Sequence, residues 1–144
     1  MALFPPMLHN MGTRITVSRS ALEALLAEAA GAHPLECCGL LWAGAGLDVA
    51  RIEPCANVAE NPADSFEIDP AALIAAHKAE RAGEGRLAGY YHSHPNGRSG
   101  PSGRDRVQAT GDGRQWAIVA GGAVTWWSDD PSGFTPLSYQ TPSS

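Results

Sequence analysis

The sequence predicts an α/β fold, a single mixed sheet flanked by helices, and three observations carry that expectation. Sixteen glycines and eleven prolines stand among 144 residues, so many short elements joined by turns are expected rather than a long helical bundle. Short β-branched or apolar runs recur along the chain at the lengths of strands. Between them lie two longer helical patterns, each with its own N-terminal signal. Apolar residues make up 44% and charged residues 17%, enough to build one core and too little charge for a disordered chain.

Residues 1–12 read as a loose leader; Pro5-Pro6 breaks its apolar run and no basic segment precedes it, so it does not look like a secretion signal. Residues 13–140 form the expected domain, and residues 141–144 a fraying tail. Thr13 to Val17 alternates and is β-branched, hence a strand. Ser20-Ala21-Leu22-Glu23 has the form of a capping box, and Leu22, Leu25, Leu26 and Ala29 give the helix that follows one apolar face. Gly31 is expected to end it, and Pro34 prevents its return.

Gly39 to Ala43 is nearly all apolar and reads as a buried strand. Gly44-Ala45-Gly46 turns it into a second arm, Asp48 to Pro54. Asn57 to Asp64 is rich in turn formers. Phe66-Glu67-Ile68 alternates and is expected as one more strand. Asp69-Pro70 supplies a cap and a proline at the first helical position, for a helix reaching about Ala82. Arg86 to His94 reads as a strand stopped by Pro95. Ser102 is placed to cap a short helix, Gly103 to Thr110. Trp116–Ala120 and Val124–Ser128 form a hairpin around Gly121-Gly122, with a last strand near Phe134–Tyr139. Of the four tryptophans at 42, 116, 126 and 127, at least two are expected in the core.

Composition excludes several classes. The formal charge of −5 makes a poor phosphate-backbone binder, so no nucleic-acid partner is expected. No run approaches the roughly 18 apolar residues of a membrane span, so no membrane partner is expected. Three cysteines, Cys37, Cys38 and Cys55, are odd in number with two adjacent. That is no disulfide framework, and it reads as buried thiols in a reducing cytoplasm, with a Cys38–Cys55 bridge as the alternative.

The chemistry concentrates between Tyr91 and Asp105. In a strand, residues two apart face one side, so His92 and His94 point together with Cα atoms roughly 6.6 Å apart at about 3.3 Å per residue. Their imidazoles can converge on one ion. Asp105, in the first turn of the next helix, is a suitable third donor. Two histidines and a carboxylate leave a fourth tetrahedral position for water, the pattern of a catalytic rather than a structural zinc. The His-x-His pair alone is weak evidence, because a strand end with two hydrogen-bonded histidines looks the same. Asp105 would likewise suit a helix N-terminus without any metal.

The pattern is wider than the pair. Glu36 in Glu36-Cys37-Cys38-Gly39-Leu40-Leu41, His92-Ser93-His94-Pro95, and Pro101-Ser102-Gly103-Arg104-Asp105, with ten residues between His94 and Asp105, together resemble the JAMM (MPN+, Mov34-type) metalloprotease family. Phe66-Glu67-Ile68-Asp69-Pro70 and Gly89-Tyr90 are similar to its stand-alone bacterial and archaeal members. The resemblance covers about residues 13–128. It implies a cytidine-deaminase-like JAB1/MPN fold with a curved, mostly antiparallel mixed sheet. It also implies one zinc ion held by His92, His94 and Asp105, with Glu36 as general acid/base. Ser102 would donate to the oxyanion, besides capping its helix.

The implied activity is hydrolysis of an amide bond at the C-terminal tail of a ubiquitin-like or sulfur-carrier protein, by a peptidase or isopeptidase. Only about seven residues separate His94 from Ser102, so the insertions that hold ubiquitin in eukaryotic relatives are not expected, and a small open groove is. Ser93 faces away from the ligands and is expected to hold a loop. His9, His33 and His77 are not expected as ligands, and His77 is expected on an exposed helix face. Arg98, Arg104 and Arg106 are expected to offset the acidic balance locally. The alternative reading is a non-catalytic MPN-fold binding module. A nucleoside deaminase is excluded by the lack of any Cys-x-x-Cys.

Overall fold

The computed structural model describes residues 14–142. The leader expected over residues 1–12, with His9, and the last two residues of the tail lie outside that range. Seven strands and three helices follow one another: β1 (Arg14–Thr16), α1 (Arg19–Ala32), β2 (Cys38–Gly44), β3 (Leu47–Cys55), α2 (Pro70–Arg81), β4 (Leu87–Ser93), α3 (Gly103–Gln108), β5 (Gln115–Ala120), β6 (Ala123–Asp130) and β7 (Gly133–Gln140). The strands form one sheet in the order β1-β7-β6-β5-β4-β2-β3. Only β1·β7 and β4·β5 are parallel; the other four pairings are antiparallel. The ends of the sheet come back together, since Val17 bridges Val49 and the Ser18 amide donates to the Val49 carbonyl at 2.9 Å. The mixed, mostly antiparallel, curved sheet is therefore as expected.

Local chemistry explains most element ends. Gly44 pairs with Leu47, leaving Ala45 and Gly46 as a two-residue turn with φ of +54° and +78°, the doubly positive geometry that matches strand twist. Asp69 Oδ1 accepts from the Ala71 amide at 3.0 Å, and Pro70 opens α2. Three expectations fail here. The cap of α1 is Ser18, not Ser20: Ser18 Oγ accepts from the Ala21 amide at 3.1 Å and also donates to the Ala50 carbonyl at 2.8 Å, which ties the helix start to β3. The helix also runs past Gly31 to Ala32. Phe66-Glu67-Ile68 forms no strand; only Ile68 bridges, to Asn57, because Phe66 and Ile68 turn inward as isolated core residues beneath α2.

The sheet has two covered faces. Leu25 of α1 packs in one cluster with Leu41, Val49, Tyr91 and Trp126. Under α2 and the preceding loop lie Cys38, Leu40, Trp42, Phe66, Leu87 and Trp116. Three tryptophans are core, as expected, and Trp127 is half-buried. Burying each large side chain is worth about 1.5–3 kcal/mol, so the central strands β2, β4 and β5 are the rigid part of the molecule. Gly39 shows how tight this is: a Cβ there would lie 2.5 Å from the Tyr91 hydroxyl oxygen and 2.3 Å from the Glu53 carbonyl oxygen. No helix among the described residues is long and apolar enough to cross a membrane.

Candidate metal centre

Three elements deliver the site. β4 carries His92, and the chain leaves the strand at His94, whose amide still donates to the Val119 carbonyl of β5 at 2.9 Å. Pro95, with no amide hydrogen, stops the ladder there. Asp105 arrives on the first turn of α3. Ser102 and Asp105 form a reciprocal cap: Ser102 Oγ accepts from the Asp105 amide at 3.1 Å, and the Ser102 amide donates to Asp105 Oδ2 at 2.9 Å. The helix ends at Gln108, two residues earlier than expected.

The three side chains converge in the interior. His92 Nε2 and His94 Nε2 are 3.0 Å apart, and each lies 3.1 Å from Asp105 Oδ2. His92 is 0% exposed, His94 6% and Asp105 3%. The three offer donor atoms mutually close enough to share one ion. Their spacing is near the edge of a tetrahedron, about 3.3 Å for bonds of about 2.0–2.1 Å. His94 Nδ1 is 2.8 Å from the Arg98 carbonyl oxygen and donates to it, which leaves the Nε2 lone pair aimed at the cluster. Two imidazole nitrogens and a carboxylate oxygen, buried and turned on one another, are the donor chemistry a zinc ion takes, so these residues fit the metal.

Burial opposes protonation of both rings. At His92 it prevails and lowers the pKa. At His94 the Asp105 carboxylate and the Arg98 carbonyl outweigh it and the pKa rises. Burial also works against an ionised Asp105, but hydrogen bonds with both rings and the Ser102 amide hold its carboxyl well below the usual range. Phe66 stacks on the His92 ring at 4.2 Å, and Trp116 meets it edge-on at 5.8 Å, so the imidazole is fixed by packing.

Glu36 sits just before β2 and is 7% exposed. Burial pushes its carboxyl up to about 7, with His94 pulling down and Asp105 pushing up through space. It is thus brought to the cluster's side without being one of the three converging groups. Ser102 is half-buried, and its oxygen accepts from the Asp105 amide. Ser93 faces the other way, as expected, and holds the Glu36 segment: its Oγ accepts from the Cys37 amide at 2.9 Å, and its amide donates to the Cys37 carbonyl at 3.1 Å. All three cysteines are free; burial raises Cys38 to about 12 and Cys37 to about 11, so they pack rather than react. His77 is half-buried at the wall of a cavity of about 640 Å³ between α2 and α3, not on an exposed face as expected. Arg104 approaches Asp64 at 3.9 Å in an exposed pair, while Arg106 is exposed. The sequence reading missed the Arg98 carbonyl, which no side-chain pattern can reveal, and Asn57, which signalled only a turn.

Three buried groups that could hold one metal ion, with a carboxyl pushed up to about 7 beside them, make up the candidate centre. The chain belongs to the family described as prokaryotic homologs of the JAB domain, whose model matches residues 18–129. It is 30% identical over 113 residues to the desampylase of Haloferax volcanii, covering 75% of this chain and 81% of that protein. It is 42% identical over 99 residues to a probable TtuB-protein conjugate cleaving protease of Thermus thermophilus, covering 68% of this chain and 65% of that one. A tail tip assembly protein K of Escherichia phage N15 is 29% identical over 119 residues; the match covers 83% of this chain but only 46% of the phage protein. Among solved structures, DSY2949 from Desulfitobacterium hafniense superposes with a TM-score of 0.75 at 25% identity, covering 90% of this chain and 94% of that one. A JAB1/MPN domain protein, AF2198 from Archaeoglobus fulgidus, shares the fold with a TM-score of 0.56 at 18% identity, covering 88% and 96%.

Proposed function

We propose that the chain is a zinc-dependent peptidase or isopeptidase that hydrolyses an amide bond at the C-terminal tail of a ubiquitin-like or sulfur-carrier protein. The observation that carries this reading is the mutual approach of His92, His94 and Asp105 within 3.1 Å, buried, with Glu36 beside them. The resemblance of the motif set to the JAMM family, and relatives named for desampylation and for cleaving protein conjugates, support the substrate class. His92, His94 and Asp105 hold the zinc. Bound there, zinc lowers the pKa of water towards 7 and polarises the scissile carbonyl.

The chain's own residues do the rest. Glu36, with a carboxyl near 7, takes the proton of the attacking water and returns it to the leaving amine. Ser102 directs its hydroxyl at the carbonyl oxygen as negative charge develops there. The Arg98 carbonyl keeps the His94 ring from rotating.

The test is cleavage of a small carrier protein bearing a C-terminal extension, followed by mass spectrometry, with the chain stripped by chelator and then reloaded with zinc. Cleavage that disappears on stripping and returns with zinc supports the assignment. Cleavage that is indifferent to the chelator, or none by a fully zinc-loaded sample against either a carrier extension or an isopeptide conjugate, overturns it.

A further inference from the structure

Asn57 spends its whole side-chain capacity at one junction. Its Nδ2 donates to the Glu36 carbonyl at 3.0 Å and to the Ser65 carbonyl at 3.1 Å. Its Oδ1 accepts from the Ala59 amide at 3.1 Å and from the Glu67 amide at 3.0 Å. A primary amide offers two donors and two acceptor sites, so all four are filled. Two of these bonds, with Ser65 and Glu67, stitch the loop between Asn57 and Ile68 across its base, where these two end residues also bridge, and the one from Ala59 is a local turn. The fourth leaves the loop for the residue assigned as acid/base.

The loop also grips Glu36 from its other end, because the Glu36 amide donates to the Pro62 carbonyl at 2.8 Å. Both backbone groups of Glu36 are therefore held by the same loop, one by Asn57 and one by Pro62. The next residue is held from the opposite direction by Ser93. By contrast, the forces on the Glu36 carboxyl itself are burial and the through-space charges of His94, Asp105, Asp64 and Arg104, with no hydrogen bond among them. Among the described residues, no hydrogen bond to the carboxyl is found. Its place is inherited from the backbone, and the backbone is set by the loop.

The geometry points to Asn57 as a positioning residue for the acid/base group: it locks the 57–68 loop closed and, through the Glu36 carbonyl, couples that closure to the aim of the Glu36 side chain. This rests on the reading of Glu36 given above. A proton-transfer group must lie within hydrogen-bond reach of the proton it moves, and a misplacement of about 1 Å costs on the order of 10²-fold in rate. Asn57 touches neither substrate nor metal, so its effect belongs in kcat and not in KM or in metal content.

Asn57→Asp is the informative substitution. It is isosteric and keeps both acceptor sites for the Ala59 and Glu67 amides, while it removes the two donations and sets a carboxylate against the Glu36 and Ser65 carbonyls. The expected result is at least about tenfold faster amide hydrogen exchange at Glu36 with β4 amides unchanged, full zinc content, unaltered KM, and kcat lowered by about 10- to 100-fold. The control Ser65→Ala removes a bond inside the loop, Ser65 Oγ to the Asn61 carbonyl at 2.8 Å, without touching Glu36, and should leave kcat unchanged.

A second measurement needs no variant. In the unaltered chain the amides of Glu36, Ala59 and Glu67 should exchange through one shared opening and so show one opening constant. Unlinked constants, or an Asn57→Asp chain whose Glu36 exchange and kcat match the parent, overturn the proposal. The exchange readouts stand even if no substrate is cleaved, so failure of the enzymatic assignment and failure of the positioning role are separable.

Discussion

Strand β4 carries buried polar groups on both of its faces, and the two faces treat them differently. On the α1 side, Tyr91 donates its hydroxyl to Glu28, and Ser93 exchanges hydrogen bonds with Cys37. The two β4 hydroxyls on that face each have a protein partner. On the other side, His92 and His94 turn their Nε2 atoms towards each other, 3.0 Å apart, with the Asp105 carboxylate at 3.1 Å. These three groups converge on one another, and a proton or a metal ion between them is what the interior needs to hold them there. Satisfied polar groups in a core are structure. A converging set of donor groups is a candidate site, and this stretch of chain shows both, a residue apart.

The largest test of this contrast is Asp105→Ala. It removes one of the three proposed ligands and the partner of both imidazoles, so zinc content by elemental analysis should fall from near one per chain towards zero and hydrolysis should vanish. Near-stoichiometric zinc in that variant would break the comparison. Glu36→Gln should retain zinc and lose about 10²–10⁴-fold in kcat, the usual share of a proton-transfer group, in a steady-state cleavage assay. Loss of zinc instead would make Glu36 a ligand.

Ser102→Ala divides two roles. Losing an oxyanion donor costs about 10²–10³ in kcat, while losing the cap costs about 1 kcal/mol in chemical denaturation; a stability loss with unchanged kcat leaves only the cap. Ser93→Ala probes the satisfied face. It strands the buried Cys37 amide and should cost about 1–3 kcal/mol while zinc stays bound.

The smallest effect is a pH slope. Burial raises the Glu28 carboxyl above its ordinary 4.5, partly offset by hydrogen bonds from Tyr91 and Cys37. A carboxyl with a raised folded pKa holds its proton better in the folded chain. Its contribution to stability is thus full at low pH and declines as pH rises from about 4.5 through the folded value. Glu28→Gln should flatten that part of the decline in urea melts between pH 4 and 7, and an unchanged slope would remove Glu28 from the account.

Much of this was legible in the residues. The hairpin at Ala45-Gly46, the Asp69-Pro70 helix start and the β4 strand follow from local backbone preferences, which act within a few residues. The errors have the opposite cause. Ser20 satisfied a capping pattern, but Ser18 took the role because its hydroxyl also reaches β3. Phe66 and Ile68 alternate like a strand, yet they are inward anchors, with Phe66 against the His92 ring. In both cases a contact distant in sequence outweighed a local preference of similar size.

The site divides in the same way. Donor identity is chemistry, and chemistry is written in side chains, so the two imidazoles and the carboxylate were nameable from the chain alone, while Glu36 came from the resemblance of the motif set. Whether they meet is a matter of long-range packing. α3 must swing Asp105 over β4, a backbone carbonyl at Arg98 must fix a tautomer, and Asn57 must tie a distant loop to Glu36. Carbonyls and amides are common to every residue, so their particular use is set only when the folded backbone brings them within about 3 Å of a partner.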